Sequence, residues 1–216
     1  NPELYANYLA LLRNYKESKH KVVFGWFDNS AKMPASQGQN IHSVPDSLDY
    51  VVLTNPNNLN ARELSEIETI RENKGIRTLY EINYMTIRNV YDAEKQAFEE
   101  NPNNVGKTFS PDFNTYLVDT VQARLALCEK YNYDGIVMTF YAKTKVYMTE
   151  KEKAEQIKLE NAFLGISKDW QERHTNKILV LAGKPQNIKI KLSSDLLVTL
   201  LFPVQMQPTR AMLPTT

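Results

Sequence analysis

The run Asp134-Gly135-Ile136-Val137-Met138-Thr139-Phe140-Tyr141 has the alternation of a β-strand. On that pattern Val137, Thr139 and Tyr141 share one face, and Ile136, Met138 and Phe140 share the other. Acid–base work on a bond needs a group that exchanges a proton near neutral pH, and the first face offers no His, Asp, Glu or Lys. The carboxylates that could reach a common cleft lie at the ends of other apolar runs: Asp28 after "KVVFGWF" and Glu81 in "RTLYEIN". Two carboxylates facing each other across a cleft can hydrolyse a glycoside by an ordinary two-acid route. Asp28 and Glu81 can equally be solvated loop carboxylates. Aromatic residues point toward sugars in another way, because pyranose rings lay their C–H faces on Trp and Tyr while amides hold the hydroxyls. Trp26, Tyr80, Tyr84, Tyr141 and Tyr147 fall on or just past such runs, with Asn29, Asn55 and Asn83 close in sequence. Trp26 and Tyr80 could also face the other way, as core.

These residues need a scaffold, and the pattern of the chain supplies one. Apolar β-rich runs predict strands at Val22–Phe27, Tyr50–Asn55, Ile76–Asn83, Gly135–Tyr141, Lys177–Gly183 and Leu196–Phe202. Helical patterns lie between them, at Pro2–Ser18, Ala61–Asn73, Tyr84–Glu100, Pro111–Lys130 and from Thr149 to about His174. Strand and helix in alternation predict an α/β domain with a largely parallel sheet. Leu117, Val121, Leu125 and Cys128 recur at helical spacing and should turn one face to the sheet. Gly75 after "IRENK" reads as a helix C-cap that launches the next strand. After Lys184 the pattern loosens, and "PVQMQPTRAMLPTT" is too rich in proline for a regular element. One domain over 1–216, irregular in 185–216, is the expected organisation.

Composition narrows the function. A net charge of +1 over 216 residues gives no overall field to recruit nucleic acid or a membrane surface. No apolar run approaches the ~20 residues of a membrane span. The start "NPELYANYLALL" lacks an initiating Met and the order of a signal peptide, which fits a processed or trimmed N-terminus. Cys128, the single cysteine, sits in an apolar pattern as a buried thiol, and His20, His42 and His174 have no ligand spacing, so no metal site is expected. "VGKT", Val105 to Thr108, lacks the upstream glycine of a phosphate loop, and no cofactor is expected.

Five segments in order carry a resemblance: "KVVFGWFDN", "SVPDSLDYVVLTN", "IRENKGIRTLYEIN", "YNYDGIVMTF" and "NKILVLAGKP". Together they resemble glycoside hydrolase family 18, in the endo-β-N-acetylglucosaminidase-like branch of gut Bacteroidetes. The resemblance implies a TIM (β/α)8-barrel-like fold. With at most six strands in view, where eight take ~250 residues, the barrel is expected to be incomplete or truncated toward the C-terminus. The family's fourth strand carries D-G-x-D-x-D-x-E, in which the Glu is the acid and the substrate's own acetamido group the nucleophile. Aligned from Asp134 and Gly135, the second Asp becomes Val137, the third Thr139 and the acid Tyr141. A neutral Tyr is a poor proton donor beside a tuned carboxylic acid.

The resemblance therefore implies a catalytically inactive domain that binds N-acetylglucosamine-containing glycans. Tyr141, Trp26, Asp28, Asn83 and Tyr84 are its candidate contacts, with carbohydrate as partner and an exported, periplasmic or cell-surface location. Two alternatives stay open: a glycosidase using Asp28 and Glu81, and a structural or interaction domain with no glycan site. Asp134 and Gly135 belong to a sharp helix-to-strand joint on any reading.

Overall fold

A computed structural model describes residues 1–188 and 197–200. Six strands, β1 (Phe24–Phe27), β2 (Tyr50–Leu53), β3 (Arg77–Asn83), β4 (Gly135–Phe140), β5 (Ile178–Gly183) and β6 (Leu197–Leu200), form one sheet in sequence order. Every pairing is parallel, and the sheet is open between β1 and β6 among the described residues. This is the expected incomplete barrel. The first strand starts two residues later than Val22, and β6 falls within the strand expected at Leu196–Phe202. The rest of the expectations for 189–196 and 201–216 lie outside the described residues.

The helices follow from local chemistry. Helix α1 (Pro2–Glu17) opens on the Asn1 side chain, which accepts from the Glu3 amide. Helix α2 (Ala61–Lys74) begins with a reciprocal capping box between Asn60 and Glu63 and ends at Gly75, whose φ of 65° suits glycine. Helix α3 (Tyr84–Glu100) starts on Asn83, whose side chain accepts from the Met85 and Thr86 amides. The helix expected over Pro111–Lys130 is two, α4 (Phe113–Leu125) and α5 (Leu127–Lys130), which meet at Ala126. The long charged stretch is α6 (Glu150–Glu160), one wide π turn (Asn161–Gly165) and α7 (Ile166–Arg173).

Two apolar layers result from strand alternation. The outer one packs Ile136, Met138 and Phe140 against helices, including the face of Leu117, Val121, Leu125 and Cys128. The inner one contains Val52, Leu79, Val137, Val180 and Ala182, with Phe24, Tyr50 and Ile178 against it. Fully burying each such aliphatic side chain contributes about 1.5–3 kcal/mol. The barrel interior is thus a packed core rather than a pore.

The joint before β4 is structural, as its sequence implies. Asp134 accepts from Arg71 Nε (3.2 Å), from Arg71 Nη2 (3.1 Å) and from the Thr78 amide (2.8 Å). A side chain at Gly135 would place its Cβ 2.1 Å from the Ile178 carbonyl oxygen, so β4 and β5 close up only over glycine. Burial pushes the Cys128 thiol up to about 12, and it stays an inert core group.

Candidate functional site

In TIM-barrel architecture functional groups gather at the C-terminal ends of the strands, and register shows which side chains share a row there. Trp26 pairs with Val52, Val52 with Leu79 and Leu79 with Gly135. Glu81 pairs with Val137 and Val137 with Val180; Asn83 pairs with Thr139 and Thr139 with Ala182. One residue past the last β1–β2–β3 pairs, Phe27 to Leu53 to Tyr80, stand Asp28, Thr54 and Glu81. The inward face of β4 therefore offers Val137, fully buried, and Thr139, 4% exposed, with Tyr141 one residue beyond the strand and 48% exposed.

The groups that the fold brings into contact are Glu81, Thr139 and Asn83. The Thr139 hydroxyl donates to Glu81 Oε1 at 2.5 Å, and the Asn83 amide reaches the same oxygen at 3.4 Å. No basic side chain pairs with Glu81 among the described residues, and neither of these bonds uses Oε2. Asn83 spends its own oxygen on the α3 cap, at 2.9 Å from the Met85 amide. Glu81 was legible only as a possible acid; the signal that it is inward lies in its two-residue step from Leu79.

The remaining candidates divide. Trp26 is 37% exposed on the inward side, its ring 6.4 Å from Phe24, which stacks on Tyr50 at 4.5 Å. It lies in the row of Gly135, six residues before Tyr141 on β4, so the two aromatics occupy different rows. Tyr84 is a correction: its ring meets Phe113, Phe140 and Phe163 edge-on in the helix layer, where burial raises its hydroxyl pKa. It shares the parity of Tyr80 and Ile82, the face of β3 that packs on the helices. Tyr80 likewise faces the helices, donating to the Arg124 carbonyl at 2.7 Å, and burial raises its pKa strongly.

Asp28 is exposed, and hydrogen bonds from the Ser30 amide and from Asn55 Nδ2 (3.0 Å) hold its carboxyl below the usual range. Asn29 and Asn55 are consumed by structure. Asn29 Nδ2 donates to the Asn55 carbonyl (2.8 Å) and to Glu63 Oε1 (3.1 Å), while the Asn55 amide donates back to Asn29 Oδ1 (3.0 Å).

The loop after β4, which carries Tyr141 and Tyr147, is anchored from below. Lys145 pairs with the buried Glu160 and donates to the Asn187 carbonyl (2.6 Å), while Asn187 Nδ2 donates to the Ala142 carbonyl (2.9 Å). Tyr147 itself projects into solvent. Each histidine meets one carboxylate, His20 with Asp49, His42 with Glu66 and His174 with Glu129. Among the described residues no group of three His, Cys, Asp or Glu side chains could hold a metal ion, and no helix is long and apolar enough to cross a membrane.

Comparison with known proteins places this geometry. The family model described as glycoside hydrolase family 18, BT1044-like, matches residues 1–204. A solved structure of BT1044 in selenomethionine form superposes with a TM-score of 0.52 at 20% identity, over 90% of this chain and 57% of its own. An apo endo-β-N-acetylglucosaminidase from Cordyceps militaris gives a TM-score of 0.47 at 13% identity, over 81% of this chain and 53% of its own. The chain thus spans little more than half the length of these structures, and at such identities the likeness shows the fold alone. No curated protein matches the chain.

Proposed function

The chain belongs to glycoside hydrolase family 18, in its BT1044-like group, and from that premise we propose that it is a catalytically inactive member that binds N-acetylglucosamine-containing glycans. One observation carries the reading: the inward positions of β4, where the family motif puts its acids, hold Val137 and Thr139 in register with β3, with Tyr141 beyond them. Val137 is sealed in apolar packing and accepts no hydrogen bond. Thr139 brings no charge to stabilise a developing cation, and Tyr141 brings no carboxylic proton. What remains is a polar rim of Glu81, Asn83 and Thr139 with the half-exposed ring of Tyr141 beyond it, which suits sugar binding without bond cleavage. Such a domain acts outside the cytoplasm, in the periplasm or at the cell surface.

A second reading, hydrolysis by Asp28 and Glu81, draws on their place in one row at the strand ends. A two-carboxylate mechanism needs one group held protonated. The hydrogen bonds to Asp28 suit the ionised partner, so the proton donor would have to be Glu81, whose Oε1 is already an acceptor for Thr139 and Asn83, and this favours the first reading.

Release of reducing ends from a chitobiose-core N-glycan tests both. The expected result is no release above a buffer blank. Turnover that disappears in Asp28→Asn or Glu81→Gln would replace the binding reading with the hydrolytic one, and turnover that survives both changes would defeat each.

A further inference from the structure

The strangest group in the described molecule is Glu81. It is half-buried on the inward side of the sheet, paired across β3 and β4 with the sealed Val137, yet no cation stands against it among the described residues. Taking a carboxylate out of water costs free energy unless donors or charges replace the water. Here both replacing donors, the Thr139 hydroxyl and the Asn83 amide, converge on Oε1. Nothing about the packing asks for a charge at this place. Its row neighbour Val137 is aliphatic, and an aliphatic residue at 81 would extend the core formed by Val52, Leu79, Val137, Val180 and Ala182.

We propose that Glu81 is the ligand anchor of this barrel mouth, accepting through Oε2 from hydroxyl groups of a neutral pyranose. The proposal rests on the glycan-binding reading and names the residue that would fix the sugar's orientation. Thr139 and Asn83 are positioning residues. By holding Oε1 they leave Oε2 as the free acceptor, and a carboxylate fixed in advance loses less freedom when the sugar arrives. A neutral donor fits better than a metal ion, since the described residues supply no group of three ligands. Hydrogen bonds to a charged acceptor are the strong kind, and the half-buried setting protects them from competing water.

Calorimetric titration with N,N′-diacetylchitobiose tests it, with thermal melts confirming that each variant is folded. Glu81→Gln keeps the size and removes the charge, and it should weaken binding about tenfold, the scale of one charge-assisted hydrogen bond. Thr139→Val should weaken binding about threefold in the native background and add almost nothing in the Glu81→Gln background, because it acts only through the carboxylate. A merely structural Thr139 would give the same loss in both backgrounds, which would overturn its positioning role. Wild-type affinity retained in Glu81→Gln, beside a loss in Tyr141→Ala, would remove Glu81 and leave the binding reading standing. Tighter binding of the deacetylated, ammonium-bearing disaccharide would overturn the assignment to neutral hydroxyl donors. No binding of either disaccharide by the wild-type chain would withdraw the anchor and the glycan reading together.

Discussion

Glu63 and Glu81 both sit near the C-terminal ends of strands, and the fold treats them in opposite ways. Glu63 is 1% exposed and fully furnished: Lys32 Nζ donates at 2.8 and 3.1 Å to its two oxygens, the Asn60 amide at 2.9 Å and Asn29 Nδ2 at 3.1 Å. Burial alone would raise its pKa, and these donors more than offset burial, so the group is held below the ordinary glutamate value. It ties the loop after β1 to the loop after β2 and to the start of α2. Glu81 has two donors on one oxygen and no cation. One carboxylate is a structural clamp whose every acceptor has been answered. The other is bonded on one oxygen only, and the ligand-anchor proposal rests on that asymmetry.

The comparison breaks most readily at Glu63. Replacing it with Ala strands the Lys32 ammonium and the Asn29 amide, and removal of one partner from a buried ionic network typically costs about 3–5 kcal/mol. Because Lys32 is partly exposed and can rehydrate, a loss of about 2–3 kcal/mol is expected, read as a shift of the urea midpoint at constant slope. A loss below about 1 kcal/mol would make the clamp ornamental.

Glu81→Leu sharpens the contrast. It strands the buried Thr139 hydroxyl but enlarges the inner apolar layer, two effects of opposite sign, so the stability read from the urea midpoint should change by less than about 1 kcal/mol in either direction. A destabilisation matching that of Glu63→Ala would show that Glu81 is a clamp as well, and would remove the physical ground for calling it a ligand anchor.

The smallest effect is expected at the opposite end of the sheet, where a carboxylate answered by a titratable partner serves as a control. Asp49 accepts from His20 at 2.8 Å and from the Val23 amide at 2.7 Å, which fastens the chain between α1 and β1. The His20 hydrogen bond to Asp49 raises the imidazole pKa. Its contribution is therefore complete below the unfolded value of about 6.5 and is lost as pH rises through the raised folded value. Melting temperature should fall slightly between pH 6 and pH 9 in the native chain, and this component should vanish in His20→Gln. An identical pH profile for the two proteins would remove His20 from the joint.

Much of this could be read from the chain alone, because the determinants are local or periodic. Two-residue alternation set Ile136, Met138 and Phe140 apart from Val137 and Thr139, and three-to-four spacing turned Leu117, Val121 and Leu125 toward the sheet. Asn60 with Glu63 and Gly75 bound α2 at both ends through contacts within a few residues. What sequence could not decide lies at element junctions and between strands. Tyr84 has the parity of Tyr80 and Ile82, the side of β3 that packs on the helices, and at the first turn of α3 its ring meets Phe113, Phe140 and Phe163, contacts made between distant segments. Trp26 and Tyr141 both end apolar runs, yet only the strand register shows them in different rows. Glu81 and Thr139 are 58 residues apart, and no spacing rule joins them. Their meeting depends on β3 and β4 pairing as they do, and that register is fixed by the burial of two whole strand faces, a property of the assembled sheet rather than of either segment.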